Sequence, residues 1–389
     1  MGKRVALVSL FCLIIGTTNQ KSLEKPIEPL AEPTGVTLAF VGDLMAHREN
    51  LAATSYDNAF EYIAPFLRKA DLAFANFEFV ADPDRKPSGY PRFNVPETYI
   101  QAAFDAGIDV VSLANNHSFD FGANGVIATI ETMNKLSETY GIAFSGTRAN
   151  AGSTFEFEMI EVNDITIGFL AVTSFVNQYM RTGHVNIADY RRSDDRAALL
   201  ETVRSVRSTY DVIVLSYHGG VEYSERAEPE KVRFFEELID SGADIVWGHH
   251  PHVLQPCTRY TGAHRSGFIM QSLGNFLSGQ SAYIDPLDPD DERGPRGESV
   301  LVTLKVTKPG DSDVENDDAE SGPQQIEIRS VEMIPIVHYP DVDEVIRVLP
   351  LDAVEKTEIS PVWRRYFASR RSRLAKLLGP HLALADPKR

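Results

Sequence analysis

The chain has 389 residues, 43% of them hydrophobic and 24% charged, which is the balance of an ordinary globular protein and excludes wholesale disorder and a polytopic membrane protein. Its formal net charge of −17 argues against nucleic acid as a partner, because a phosphate backbone calls for clustered Lys and Arg. An anionic ligand would have to meet a local positive centre, which bound divalent cations would supply.

At the N-terminus, "MGKR" precedes the apolar run "VALVSLFCLIIG" and then polar "TTNQKSLEK". This predicts a secretory signal or short anchor over residues 1–25 and places the protein outside the cytoplasm. The run is shorter than the roughly 20 residues that span a bilayer. The other reading is a buried N-terminal strand or helix. Cys12 lies within this segment, so a processed chain would keep only Cys257 and form no internal disulfide. Residues 26–35, "PIEPLAEPTG", read as a Pro- and Glu-rich linker.

From Val36 the pattern alternates. Strand-like runs are expected at 36–43, 71–79 and 108–117, with helices at 56–70, 96–107 and 124–141 between and after them. The second half alternates in the same way, with strand 164–174, helix near 193–209, strand 210–220, helix 230–242 and strand 243–250. Such alternation predicts an α/β domain with a largely parallel sheet. "SGFIMQSLGNFL" opens a more β-like tail, in which "ESVLVTLKVTK" and "QIEIRSVEMIPIVHYPD" predict antiparallel strands flanking a solvated acidic loop at 309–325. One domain over 36–340 is expected, with a C-terminal extension over 341–389. Its basic amphipathic stretch, 352–379, is read as packing on the domain surface in preference to binding membrane.

Polar clusters fall where the predicted strands end. Asp43 closes the first, Asn76 and Glu78 the second, and Asn115, Asn116 and His117 the third. His218 ends a later one, and His249, His250 and His252 another. In an open α/β sheet the carboxyl edge is where ligand sites form, so these residues can converge across more than two hundred positions of sequence. Imidazoles, carboxylates and an amide oxygen suit Mn, Fe or Zn, and a pair of such ions would polarise a phosphoryl or acyl oxygen. His117, three residues before Asp120, could protonate a leaving group while Asp120 fixes its tautomer. Taken singly, each residue has a structural reading too: a cap for Asp43, a turn for Asn115 and Asn116, a satisfied core histidine for His218.

The motifs "FVGDLMAH", "ADLAFANFE", "GYPRFNVPE", "IDVVSLANNHSFDFG", "LSYHGGVEY", "GADIVWGHHPHVLQP" and "SLGNFLSG" occur in this order. Together they resemble the bacterial capsule-synthesis CapA family of poly-γ-glutamate biosynthesis, closely over about 36–280. That family is similar to the calcineurin-like metallophosphoesterases. The resemblance implies a four-layer α/β/β/α sandwich like that of metallo-dependent phosphatases, with two divalent metal ions at the strand ends. It implies Asp43 as the first metal aspartate, Asn116 and His117 as ligand and general acid, His218 as the lone histidine, and His250 with His252 as the final His-x-His. Asn76 and Glu78 stand where the superfamily has a bridging Asp, and Met45 where it has His, so a second metal site that is altered, weak or absent is expected. His47, Asn115, His249 and Asn275 are expected to touch substrate or brace the ligands.

The function this implies is metal-dependent hydrolysis or transfer on an anionic cell-surface polymer or its precursor, beside membrane-bound synthesis or export proteins. The alternative is a non-catalytic, polymer-binding component of such a complex.

Overall fold

The computed structural model describes residues 35–308, 326–341 and 345–379. The expected signal, nearly all of the linker, the acidic loop 309–325 and residues 380–389 lie outside them.

Two sheets form the centre. In the larger, β1 (Gly35–Leu44), β2 (Leu72–Phe77), β3 (Val110–Ser112) and β4 (Ala143–Ser145) run parallel in that spatial order. On the other flank of β1, β12 (Glu298–Thr307), β13 (Glu327–Pro340) and β14 (Ile346–Pro350) add antiparallel strands, and β11 (Asn275–Leu277) pairs with the C-terminal end of β1. The smaller sheet has a parallel centre of β6 (Ile165–Thr173), β7 (Val212–His218), β8 (Ile245–His249) and β10 (Ser266–Leu273). Antiparallel β5 (Glu158–Val162) and β9 (Leu254–Thr261) edge it. The parallel strands are buried on both faces, which is why their sequences read as continuous apolar runs.

The sheets pack face to face through Phe40, Phe74, Phe169 and Trp247. Phe40 stacks on Phe74 with ring centroids 4.7 Å apart, and the Trp247 indole donates to the Val41 carbonyl across the gap at 3.0 Å. The indole is thereby satisfied although fully buried. The outer face of the larger sheet is covered by α3 (Glu97–Asp105) and α4 (Gly122–Tyr140), which bury Tyr99, Ile100, Phe104, Met133 and Leu136. That of the smaller is covered by α5 (Ser193–Val206) and α6 (Pro229–Asp240), through Leu199, Val203, Phe234, Phe235 and Leu238. The spacing of the α6 apolar residues puts them on one face, and Pro229 sits in its first turn, where a missing N–H costs nothing. The four-layer α/β/β/α sandwich is therefore present.

Three differences from the sequence reading have physical causes. The helix expected over 56–70 is only a short turn at Asp57–Ala59 and the single turn α2 (Ala64–Leu67). Pro65 lacks the N–H that a helix running through it would need, so the chain can only restart there. The third strand stops at Ser112, so Asn115, Asn116 and His117 stand in the turn beyond it.

Finally, the chain beyond 340 is continuous with the body: β14 edges the larger sheet, and α7 (Pro361–Leu378) inserts Tyr366, Phe367 and Leu374 into the inter-sheet core. Four of the basic residues of α7, Arg364, Arg370, Arg371 and Arg373, pair with carboxylates. Arg370 and Arg373 grip Glu298, Arg373 also reaches Glu225, and Arg371 pairs with Asp352 at 2.7 Å. No helix among the described residues is long and apolar enough to cross a membrane.

Candidate metal centre

Asp43 stands near the end of β1, where the strand is squeezed against the turn into β11. A Cβ on Gly42 would lie 1.9 Å from the Gly274 carbonyl oxygen, so only glycine fits, and that same carbonyl accepts the Asp43 N–H at 3.0 Å. The fully buried Asp43 carboxylate accepts from the Asn76 amide at 2.8 Å. Nδ1 of His249 and of His252 each lies 3.1 Å from one of its oxygens. Burial would raise the Asp43 pKa, but its contacts with His249 and His252 outweigh that and hold it well below the usual carboxylate range.

Glu78, one residue past β2, is different. Both of its oxygens are buried with no hydrogen-bond partner, although His252 Nε2 is 3.6 Å and His218 Nε2 4.0 Å from Oε1. Burial, followed by the negative charge of Asp43, pushes its pKa well above the ordinary value. His218 ends β7, with Nε2 at 2.8 Å from the Asn116 amide oxygen. Burial, reinforced by His250, holds its pKa well below 6.5.

His250 and His252 follow β8 in left-handed backbone, with φ of 95° and 58°. Such conformations cost a non-glycine residue roughly 1–3 kcal/mol and persist when the surroundings enforce them. Here they turn two rings inward: the His250 ring centroid is 4.9 Å from that of His218 and 5.2 Å from that of Phe175. Burial holds the His250 pKa down to about 3.

Nearby, His117 Nδ1 is 2.7 Å from Asp120, whose same oxygen also accepts the Phe93 N–H at 2.9 Å. The Asn177 amide nitrogen lies against the same ring, 3.2 Å from Nδ1 and 3.4 Å from Nε2, and with the Nδ1 proton committed to Asp120 only Nε2 can accept from it. The Asn177 carbonyl in turn accepts from Asn116 at 3.1 Å.

The expected residues thus separate by position. Asp43, Glu78 and His218 offer atoms that all lie within 4.8 Å of one another, and so do His250, His252 and Glu222. Asn116 adjoins the first group through His218, whereas Asn76 turns its amide nitrogen, not its oxygen, toward Asp43 and so holds that carboxylate as a donor. Asn115 braces the turn, donating to the Phe77 carbonyl at 2.8 Å and accepting the His117 N–H at 3.1 Å. His249 lies under Asp43 with its ring against Trp247, at 4.1 Å between centroids. His47 faces Ser278 at 3.4 Å on the cleft wall, and burial lowers its pKa to about 4. Asn275, beside Asp43 in the strand register, points away and ties Gln280 to the Arg296 carbonyl.

Glu222 and Asn177 escaped the sequence reading because both sit in loops, four residues beyond His218 and Thr173, and not at strand ends. A search extended past the strand termini at the same sheet edge would have reached both.

The donor set fits a divalent cation. Burial lowers the pKa of His218, His249 and His250 beside these carboxylates, and the orphaned Glu78 oxygens have no other partner to offset their burial. Asp43, Glu78, His218 and Asn116 would hold one ion, and His250, His252 and the exposed Glu222 a second, more open one. The site opens on a cleft of about 1330 Å³ whose lining includes His117 and His252.

Fold and site together define a two-sheet α/β protein with a carboxylate–imidazole centre at the strand ends. The bacterial capsule synthesis protein PGA_cap family matches residues 37–280, and the chain belongs to that family. It is 30% identical over 258 residues to a capsule biosynthesis protein CapA of Bacillus anthracis, covering 63% of this chain and 60% of that protein. It is 26% identical to a PGA biosynthesis protein CapA of Bacillus subtilis, covering 71% and 72% respectively. A probable polyglutamine synthesis accessory protein of Mycobacterium tuberculosis is 28% identical over 46% of this chain and 48% of its own length. Among solved structures, a hypothetical protein from Thermus thermophilus aligns with 99% of its chain and 77% of this one, at 15% identity and a TM-score of 0.43.

Proposed function

We propose that this chain carries out metal-dependent hydrolysis or transfer on an anionic cell-surface polymer of the poly-γ-glutamate kind, outside the cytoplasmic membrane. The observation that carries the reading is Glu78, a buried carboxylate without a hydrogen-bond partner, set among imidazoles that burial keeps unprotonated. Family membership supports the polymer class, and the apolar run near the N-terminus supports the location.

Bound divalent ions would supply charge neutralisation and Lewis acidity at the scissile group. The remaining work falls to the protein. Asp120 fixes the His117 tautomer, leaving Nε2 at the cleft floor as the atom that takes or gives a proton. Asn177 orients that ring edge and links it to Asn116, so the acid–base group and the metal ligands move as one unit. Asn76 and His249 keep Asp43 in position.

Elemental analysis of the purified protein beside a His250→Ala, His252→Ala double variant tests the metal. Stoichiometric metal in the wild type and its loss in the variant is expected, and negligible metal in both overturns the reading. Metal and polymer binding without turnover would favour the non-catalytic alternative.

A further inference from the structure

The cleft over the metal centre carries an unexpected charge. In a chain with 55 acidic residues against 38 basic ones, its lining includes Arg48, Arg92, Arg293 and Arg296. Arg293 is consumed by Asp291, which it contacts through Nε and a terminal nitrogen at 2.9 and 2.8 Å. The other three make no ion pair among the described residues. Two are mounted on aromatic faces: Arg296 lies 3.9 Å above the Tyr223 ring and Arg92 5.3 Å from the Phe121 ring. Arg296 also has a buried Nε with no hydrogen-bond partner.

A guanidinium held flat on a ring keeps its charge and leaves its N–H edge open, the geometry that receives a planar carboxylate with two parallel hydrogen bonds. Of the two acidic groups of the lining, Glu49 accepts the Tyr283 hydroxyl, and Glu222 offers an oxygen within 4.8 Å of ring nitrogens of His250 and His252. Tyr90 and Tyr283, 76% and 59% exposed, add apolar surface to the same walls.

We propose that Arg48, Arg92 and Arg296 form a carboxylate-binding rim that holds a γ-linked glutamate chain across the cleft. This rests on the reading of the site given above and adds the residues that select its substrate. A γ-linked chain leaves one free carboxylate on every residue and places two methylenes of each in its backbone. The three arginines come from separate segments of the chain, with Arg92 and Arg296 over different rings, and meet successive carboxylates. The exposed tyrosine faces meet the methylenes. The rim holds the polymer independently of the metal ligands beneath.

The test is equilibrium binding of a fluorescent ten-residue γ-glutamate oligomer to the full chain, with His218→Ala protein in parallel. Single Arg48→Gln, Arg92→Gln and Arg296→Gln variants should each bind about tenfold more weakly. The triple variant should lose binding, with an unchanged unfolding midpoint. Arg296→Lys should fall between wild type and Arg296→Gln, because it keeps the charge and loses the fork. The corresponding γ-linked oligomer with amidated carboxylates should not bind. Equal binding by the triple variant or by the amidated oligomer overturns the proposal, as does tighter arginine-dependent binding of inorganic polyphosphate. If His218→Ala protein binds the oligomer in an arginine-dependent way and no form of the protein turns it over, the rim stands and catalysis falls. If turnover is indifferent to the three arginines, catalysis stands and the rim falls.

Discussion

Substituting Glu78 by Gln separates a metal ligand from a structural carboxylate, because the two roles predict opposite changes in stability. Without metal, both Glu78 oxygens are buried and unpartnered, and burial disfavours the charged form. A buried polar group left unpaired costs roughly 1–3 kcal/mol, and more when charged. The neutral amide removes that charge at nearly the same shape, so Glu78→Gln should stabilise chelator-treated protein by about 1–3 kcal/mol at pH 8. The effect depends on pH with a definite sign. The folded pKa lies above the ordinary 4.5, so between these values the native state holds a proton that the unfolded chain has released, and the wild type gains stability as pH falls. The advantage of the variant is therefore largest at high pH and fades toward pH 4.5.

Adding Mn²⁺ or Zn²⁺ acts against the variant. Metal at a hundred times its Kd stabilises by about 2.7 kcal/mol, and a hundredfold loss of affinity would cut this to about 0.4 kcal/mol. Urea unfolding at pH 6 and 8, with chelator and with metal, reads all four quantities. A variant less stable than wild type in chelator, or one gaining as much from metal, would refute the reasoning.

His117→Ala should lower turnover of a γ-glutamate oligomer about 10²- to 10⁴-fold in single-turnover assays, and Asp120→Asn by less, since it misorients the ring without removing it. His338, fully buried in β13 between Ser281 and the Phe276 carbonyl, has its pKa lowered to about 4 by burial. The unfolded chain takes up that proton near pH 6.5 and the native state only near 4, so stability is lost as pH falls through this window. Acid unfolding curves should show up to about 3 kcal/mol of this loss in the wild type and its absence in His338→Gln. Gly42→Ala drives a methyl into the Gly274 carbonyl, so a loss of at least about 2 kcal/mol in urea is expected, together with lower metal content as Asp43 shifts. An unchanged midpoint would mean that the turn yields.

Much of the site was legible because the carboxyl edge of a parallel sheet collects side chains in a predictable way. Asp43, Glu78 and His218 needed only the ends of three apolar runs to be recognised. What stayed hidden depends on backbone and three-dimensional choice. Nothing in "HHPH" reports that His250 and His252 adopt positive φ, and it is this turn that aims their rings at the cluster. The direction of the Asn76 amide is set by Asp43, thirty-three residues earlier in the chain. The failed helix over 56–70 shows the limit of periodicity, since the spacing of Phe60, Ile63 and Leu67 serves a packed loop equally well once Pro65 interrupts the ladder. The antiparallel edge strands were the least visible: β14 is five residues long and is defined only by its pairing with β13.

The pairing of β1 with β12 has a consequence for how the protein is made. The strand that carries Asp43 leaves the ribosome long before its antiparallel neighbour, which begins only at Glu298, beyond the last residue that matches the family. Until that neighbour arrives, one side of β1 is an open row of donors and acceptors, a template for pairing with another chain. A fragment cut at residue 280 would keep Asp43, Glu78, Asn116 and all of the site histidines and still lack the strand that pairs with Gly35–Phe40, the part of β1 leading into Asp43. The sheet that carries the first ligand is thus completed late in synthesis, by sequence that contributes no ligand, and nascent chains are exposed to mispairing throughout the interval.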